Sequence, residues 1–234
     1  MKINQLFLFF CILFSTHIFG QNDVGFKASV ISSFVSFKDV SGFHISMINQ
    51  KNLIAPSGQI GFFYCHTFNK TTSFETDLLF DQVESRTAYI PNTMDWLGIS
   101  SPTFTQVNSD YSEENRMHLS YLSIPVYYCY TLRQFKVSLG FQTSLKLGAS
   151  NTIISHSSSG STYTNDTRRL SNIDNLDYGP KIGLTWRLST YLDLEGNWYH
   201  GLNNITHDPD FKNYMEYRIR QVSLGIRYIL TRNK

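Results

Sequence analysis

From residue 135 to 149 the chain reads FKVSLGFQTSLKLGA. Phe135, Val137, Leu139, Phe141, Leu145 and Leu147 take the odd positions, while Lys136, Ser138, Gln142, Ser144 and Lys146 take the even ones. A helical period would scatter the apolar residues around the whole wheel. A period of two sorts them onto one side, so the stretch predicts a strand with two unlike faces. Seven further stretches alternate in the same way: 24–37, 58–68, 72–87, 118–131, 176–188, 191–200 and 216–231. In the last three, Ile182, Leu184 and Trp186, then Leu192, Leu194 and Trp198, then Val222, Leu224, Ile226 and Tyr228 form the apolar side. The pattern predicts an all-β chain of eight strands.

The connections alternate too. Residues 69–71, 132–134 and 189–190 are tight turns, whereas 38–57, 88–117, 150–175 and 201–215 are long and rich in Ser, Asn, Thr and Asp. Antiparallel hairpins would gather the short turns at one end and the long loops at the other. No linker, second domain or fixed-period repeat interrupts this series.

Alternation alone does not say which face is inside. A soluble lipocalin-like barrel buries its apolar face, and a membrane barrel turns that face outward. Three features favour the second arrangement. The stretches run about 11–16 residues, beyond the usual 5–6 of soluble strands and enough for a tilted crossing of a bilayer. An even strand number with unequal connections is the pattern of outer-membrane barrels. The polar faces also carry six cations, Lys27, Lys136, Lys146, Lys181, Arg187 and Arg227, against six anions, Glu75, Asp77, Asp81, Asp177, Asp193 and Glu195. Eight strands enclose a space that side chains just fill, and enclosed charges must be paired. The expectation is a transmembrane up-and-down barrel with these twelve charges in its lumen. Phe135, Val137, Leu139, Phe141, Leu145, Leu147, Ile182, Leu184, Trp186, Leu192, Leu194, Trp198, Val222, Leu224, Ile226 and Tyr228 then meet lipid. Tyr64, Phe68, Tyr128, Tyr130 and Tyr178 join Trp186, Trp198 and Tyr228 near strand ends, where amphipathic rings suit a membrane interface.

Composition agrees. Of 234 residues, 16% are charged and 15% aromatic, against about 25% charged in ordinary soluble domains. The net charge of +2 leaves no footprint for nucleic acid. The first residues, MKINQLFLFFCILFSTHIFG, combine Lys2 with an apolar run over 6–14. They read as an export signal spanning 1–20, with 21–234 as one barrel domain. That run is about half of what a membrane helix needs. Without such a helix, only a closed barrel could satisfy its backbone in lipid.

Candidate chemistry is sparse. Beyond Cys11 the cysteines are Cys65 and Cys129, too few for a disulfide scaffold. Both fall on the inward parity, so a bridge would have to cross the lumen, and packing is the expectation. His44, His118, His156, His200 and His207 accompany many loop serines, but no spacing couples them into a catalytic set. His207-Asp208-Pro209-Asp210 offers few oxygens to a cation that wants six or more and is ordinary turn chemistry. The sequons at Asn69, Asn165 and Asn204 read as chance. No catalytic residue, metal or cofactor is expected.

Three short segments carry a family resemblance. YLSIPVYY at 121–128, YHGLNNI at 199–205 and RQVSLGIRYIL at 220–230 resemble a middle strand, the exit from the seventh strand and the final strand of PorT-like outer-membrane β-barrel proteins. Ser123 stands where that family has an acidic residue. The resemblance implies an eight-stranded barrel in a Gram-negative outer membrane, with short periplasmic turns and long extracellular loops. The name-giving member supports a secretion apparatus. The resulting expectation is a monomeric, non-enzymatic barrel whose partners are outer-membrane lipid and envelope or secretion proteins. A small pore, a lipid-modifying barrel enzyme and a soluble periplasmic carrier remain as alternatives. Against the pore, wide channels need about 16 strands.

Overall fold

A computed structural model of the chain describes residues 21–39, 48–53, 55–91, 112–156, 162–169, 173–205 and 215–232. Every regular element among them is a strand: β1 (Gln21–Asp39), β2 (Ile48–Leu53), β3 (Ala55–Thr67), β4 (Thr72–Pro91), β5 (Ser112–Leu132), β6 (Phe135–His156), β7 (Thr162–Arg169), β8 (Leu176–Arg187), β9 (Leu192–His200) and β10 (Met215–Arg232). β1 pairs antiparallel with β3, β3 with β4, β4 with β5, β5 with β6, β6 with β8, β8 with β9, β9 with β10, and β10 again with β1. The ring is a closed up-and-down barrel of eight staves, which leaves no edge. The N-terminal stretch 1–20 lies outside the described residues.

β2 and β7 are the difference from the sequence reading, which has loops there. β2 pairs with the far end of β4 (Arg86–Pro91) above β3, and β7 pairs with the far end of β6 above β8. Each extends a stave beyond its alternating portion. β4, β5 and β6 also run further than their hydrophobic patterns, to Pro91, from Ser112 and to His156. These extensions are rich in Thr, Asn, Ser and Arg, so they lack the apolar–polar contrast from which strands are read. Backbone pairing continues although the side-chain signal has ended.

The pleat assigns the faces. Along β8, Asp177, Gly179, Lys181, Gly183 and Thr185 are buried while Tyr178, Ile182, Leu184 and Trp186 are exposed. The outward set on β6 and β10 is exposed throughout: Phe135, Val137, Leu139, Phe141, Leu145 and Leu147, with Val222, Leu224, Ile226 and Tyr228. Trp198 on β9 is exposed as well. Leu192 and Leu194 also point outward but are half-buried. Leu194 sits between Trp186 and Ile226 in register, and these flanking side chains shade it.

The tight turns have local causes. Between β3 and β4, Asn69 Oδ1 accepts from the backbone N–H groups of Thr71 and Thr72, both at 2.9 Å, and from the Thr71 hydroxyl at 2.9 Å. The side chain thereby stands in for a backbone turn. Asn69→Ala removes all three bonds and is expected to lower stability by about 1 kcal/mol, read as a shifted urea midpoint for the barrel in micelles. Between β5 and β6, Arg133 takes φ 55°, the left-handed geometry that a two-residue hairpin turn demands.

Candidate functional site: a filled lumen

The inward side chains form layers. Nearest the tight turns, Phe63, Cys65 and Ile229 cluster, with Cys129 fully buried beside the same mouth. Both cysteines are free thiols. They sit on β3 and β5 with β4 between them. The Arg227 guanidinium lies 4.0 Å from the centre of the Phe63 ring, a cation–π contact on the edge of the apolar floor. The cavity here measures about 40 Å³.

Above the floor runs a chain of ion pairs with alternating sign. Asp77 Oδ2 is 2.8 Å from Lys27 Nζ, which is 2.5 Å from Glu195 Oε1. Glu195 Oε2 is 3.3 Å from Arg227 Nη1, Arg227 Nη2 is 2.8 Å from Glu75 Oε2, and Lys136 Nζ is 2.6 Å from the same oxygen. Five strands contribute, and the array is electrically neutral. Asn197 adds a hydrogen bond of 2.5 Å to Glu195. In a site this buried the Coulomb terms are strong, but so is the penalty for any charge left alone.

The next tier is polar rather than ionic. Lys181 Nζ donates to Gln142 Oε1 at 2.8 Å, and Gln142 Nε2 donates to Ser144 Oγ at 2.9 Å. Ser144 and Ser123 hydroxyls are 2.8 Å apart, and Ser123 donates to Asp81 Oδ2 at 2.5 Å. Gln59 donates to the other Asp81 oxygen at 2.6 Å. A buried cation and a buried anion are thus joined through Gln and Ser. Ser123 thus holds Asp81 from the neighbouring strand.

The long-loop end is apolar. Val83, Leu119, Tyr121, Ile173, Tyr199, Ile205 and Ile219 pack into one buried cluster, with Met117 and Ala149 against it. The segment YHGLNNI builds part of this plug. Tyr199 donates to Asp177 Oδ2 at 2.8 Å. A Cβ on Gly201 would stand 2.9 Å from Asp177 Oδ1 and 3.0 Å from the Ile219 carbonyl, so the chain passes closely only as glycine. Asn203 Nδ2 donates to the Leu176 carbonyl at 2.7 Å. The turn so fixed returns Ile205 to the lumen, where its carbonyl accepts from Asp174 N at 2.8 Å. A resemblance of spelling therefore has a physical content: the motif folds a loop back into the barrel as a stopper.

The twelve charges singled out in the sequence thus separate into groups. Lys27, Glu75, Asp77, Lys136, Glu195 and Arg227 join one ionic chain. Asp81, Asp177 and Lys181 are buried against neutral partners. Asp193 is buried at the tight-turn mouth, opposite both Arg187 and Arg227 in register. Two positions correct the expectation of enclosed pairing. Arg187 is exposed, because it ends β8 and its long side chain reaches water at the mouth. Lys146 is half-buried and donates to the Ile173 backbone carbonyl, since the loop carrying Ile173 fills the space around it.

The sequence reading has a polar lumen throughout and misses the plug. Its signal is present nevertheless: Ile31, Val83, Leu119, Tyr121, Tyr199 and Ile219 occupy the inward parity near the long-loop end of their strands.

Candidate catalytic groups do not converge. His118 is on the outer wall, exposed, 3.8 Å from Glu84, and His200 stacks on Trp198 with ring centres 5.7 Å apart. His156 ends β6. His44, His207 and the segment 207–210 lie outside the described residues. Among the described residues no group of three His, Cys, Asp or Glu side chains could hold a metal.

A family model described as "Outer membrane protein beta-barrel domain" matches residues 19–207. A search of curated protein sequences gave no match. Similar solved structures include Neisserial surface protein A, at 12% identity and TM-score 0.40, covering 87% of this chain and 96% of that one. The attachment invasion locus protein Ail of Yersinia pestis, at 10% and 0.39, covers 91% and 100%. OprG of Pseudomonas aeruginosa, at 8% and 0.34, covers 90% and 96%.

Proposed function

Because the chain belongs to the outer membrane protein beta-barrel domain family, we propose that it works in the Gram-negative outer membrane as a closed, non-enzymatic scaffold. Its activity then lies in what it presents to partners, and not in what passes through it. The observation that carries this reading is the filled lumen. Floor, ionic chain, polar tier and plug succeed one another, and the cavity at the tight-turn mouth, about 40 Å³, has room for only a few water molecules.

The outward surface fits the same role. From Phe135 to Leu147, a rise of about 3.3 Å per residue at a tilt of about 40° spans about 30 Å, the depth of a bilayer's hydrocarbon. The sixteen outward residues named from the sequence would meet lipid over that depth. Tyr64, Phe68, Tyr128, Tyr130, Trp186 and Tyr228 gather toward the tight-turn end as an interfacial girdle. That end faces the periplasm and the long loops face outward, with residues 1–20 serving as the export signal. Beyond the belt, the paired extensions of β4, β5 and β6 form a rigid base on which the loops meet a partner. The PorT-like segments support an envelope or secretion protein as that partner.

Two measurements test the proposal. In planar bilayers the purified barrel is expected to give no steady unitary conductance; reproducible steps would make it a pore. In-membrane crosslinking with mass spectrometry is expected to join loop residues to an envelope protein. Crosslinks confined to the barrel itself would remove the scaffold role.

A further inference from the structure

Glu75, Asp77 and Glu195 meet cations directly, and Asp81 acts on Lys181 across the polar tier. Asp177 on β8 has no such counterpart. It is 2% exposed, and among the described residues no lysine or arginine acts on its carboxylate. Lys146, two residues beyond its register partner Ser144 on β6, turns to the Ile173 carbonyl instead. Tyr199 donates to Asp177 Oδ2 at 2.8 Å, while Oδ1 has no hydrogen-bond partner among the described residues.

Two further oxygens belong to the same part of the plug. Tyr121 on β5, with β6 between it and β8, is also 2% exposed, and its hydroxyl has no hydrogen-bond partner among the described residues. Asp177 is the first of the charges acting on that hydroxyl, followed by Asp174 at the loop end of β8. The two groups share a region but do not bond to each other. The third oxygen is the Ile219 carbonyl on β10. A Cβ on Gly201 would stand 2.9 Å from Asp177 Oδ1, 3.0 Å from Oδ2 and 3.0 Å from that carbonyl oxygen. Because residue 201 carries no side chain, these oxygens converge without a carbon among them. The carbonyl accepts from Gly201 N at 2.7 Å and keeps a second lone pair.

A carboxylate inside an apolar cluster has to be neutralised. A water molecule would complete the hydrogen bonds of Oδ1 and Tyr121 but bring no charge. A proton would cancel the charge but not tie the phenol and the carbonyl to it. A hard cation does both, because carboxylate, carbonyl and other oxygens are its ordinary ligands.

We propose that Asp177, with the Tyr121 hydroxyl and the Ile219 carbonyl, binds one hard monovalent cation, sodium or potassium, inside the plug. One carboxylate sets the single charge. The site draws on an acid, a phenol and a carbonyl rather than on three acidic, imidazole or thiol side chains. The ion joins β5, β8 and β10 at the turn that returns Ile205 to the lumen, so it fastens the stopper while neutralising its acid. This goes beyond the scaffold role and holds whichever way the barrel faces.

Urea midpoints of the mature barrel in non-ionic micelles test the site, in sodium, potassium or N-methylglucamine chloride at one ionic strength and one pH. Sodium or potassium is expected to raise the midpoint above that in N-methylglucamine, which is too large to enter. Well above the dissociation constant, the folding constant should grow about tenfold for each tenfold of free cation, as a single site demands. Asp177→Asn keeps an acceptor for Tyr199 but loses the charge, so its midpoint should be the same in all three salts. Tyr121→Phe loses one ligand and should need about tenfold more cation for the same shift. Sodium-23 NMR reads binding apart from stability: the wild type should broaden the line and Asp177→Asn should not. Each variant is first checked for the heat-dependent gel shift of a folded barrel. Equal wild-type midpoints in all three salts, or a cation dependence unchanged in Asp177→Asn, would overturn the proposal. A wild-type midpoint that moves with pH but not with cation would do the same, by giving the carboxylate a proton instead.

Discussion

Arg227→Met is expected to destabilise the barrel by about 3–5 kcal/mol, the cost of removing one partner from a buried ionic array. Arg227 is 1% exposed and bridges Glu195 and Glu75. Methionine keeps much of the stem and its contact with Phe63 but leaves two carboxylates facing each other across a dry gap. Lys27 and Lys136 still hold their outer flanks, so the chain breaks into a net-negative Asp77–Lys27–Glu195 triad and a balanced Glu75–Lys136 pair. The measurement is the shift in urea midpoint for refolding in micelles, with the slope unchanged. Adding Glu195→Gln to Arg227→Met should restore much of the loss, because the Asp77–Lys27 and Glu75–Lys136 pairs then remain, each balanced. A single-variant loss below about 0.5 kcal/mol would mark the pair as solvated, as surface pairs are. The lumen would then be wet and the closed scaffold untenable.

What the sequence reveals here follows from what each contact depends on. A stave that crosses the belt has unlike surroundings on its two sides, so period two appears and all eight staves can be read. The tips of β4, β5 and β6, and the short β2 and β7, are held by backbone pairing between segments whose sequences do not alternate apolar with polar. Their formation leaves no pattern in side-chain type. Parity also places Lys27, Glu75 and Arg227 in the lumen, but parity is silent on depth. Which acid meets which base depends on stagger between strands, and that stagger joins Lys27 on β1 to Asp77 on β4 while Lys181 reaches the neutral Gln142. Arg187 is misplaced for a related reason: it has the inward parity, yet the stave ends beneath it and the side chain escapes to water. The plug is hidden differently. Ile173 and Ile205 come from segments with no periodicity, and their inward course is fixed by Gly201, Asn203 and the Tyr199–Asp177 hydrogen bond, each meaningful only once the strands beside it are in place.

Leu139→Arg is expected to cost about 2–4 kcal/mol and Leu147→Arg only about 0–1 kcal/mol, because a cation on the lipid face is penalised by its depth in the bilayer. Both leucines are on β6, both point outward, and they are similarly exposed, at 63% and 55%. In water the two substitutions should be equally mild, since neither removes a buried contact. Packing within the sheet thus predicts no difference between them, whereas a hydrocarbon belt centred between Phe135 and Leu147 predicts a large one. The pair is compared by refolding into vesicles and by recovery in carbonate-washed outer membranes, where Leu139→Arg should be depleted and Leu147→Arg retained. Equal tolerance of both, with wild-type protein released by the carbonate wash, would mean that water surrounds the exposed apolar face. Lipid contact by Phe135, Val137, Phe141 and the other outward residues would fall with it. A graded loss along β6 instead locates the belt from a single strand, the one whose two faces first raise the question of what lies outside.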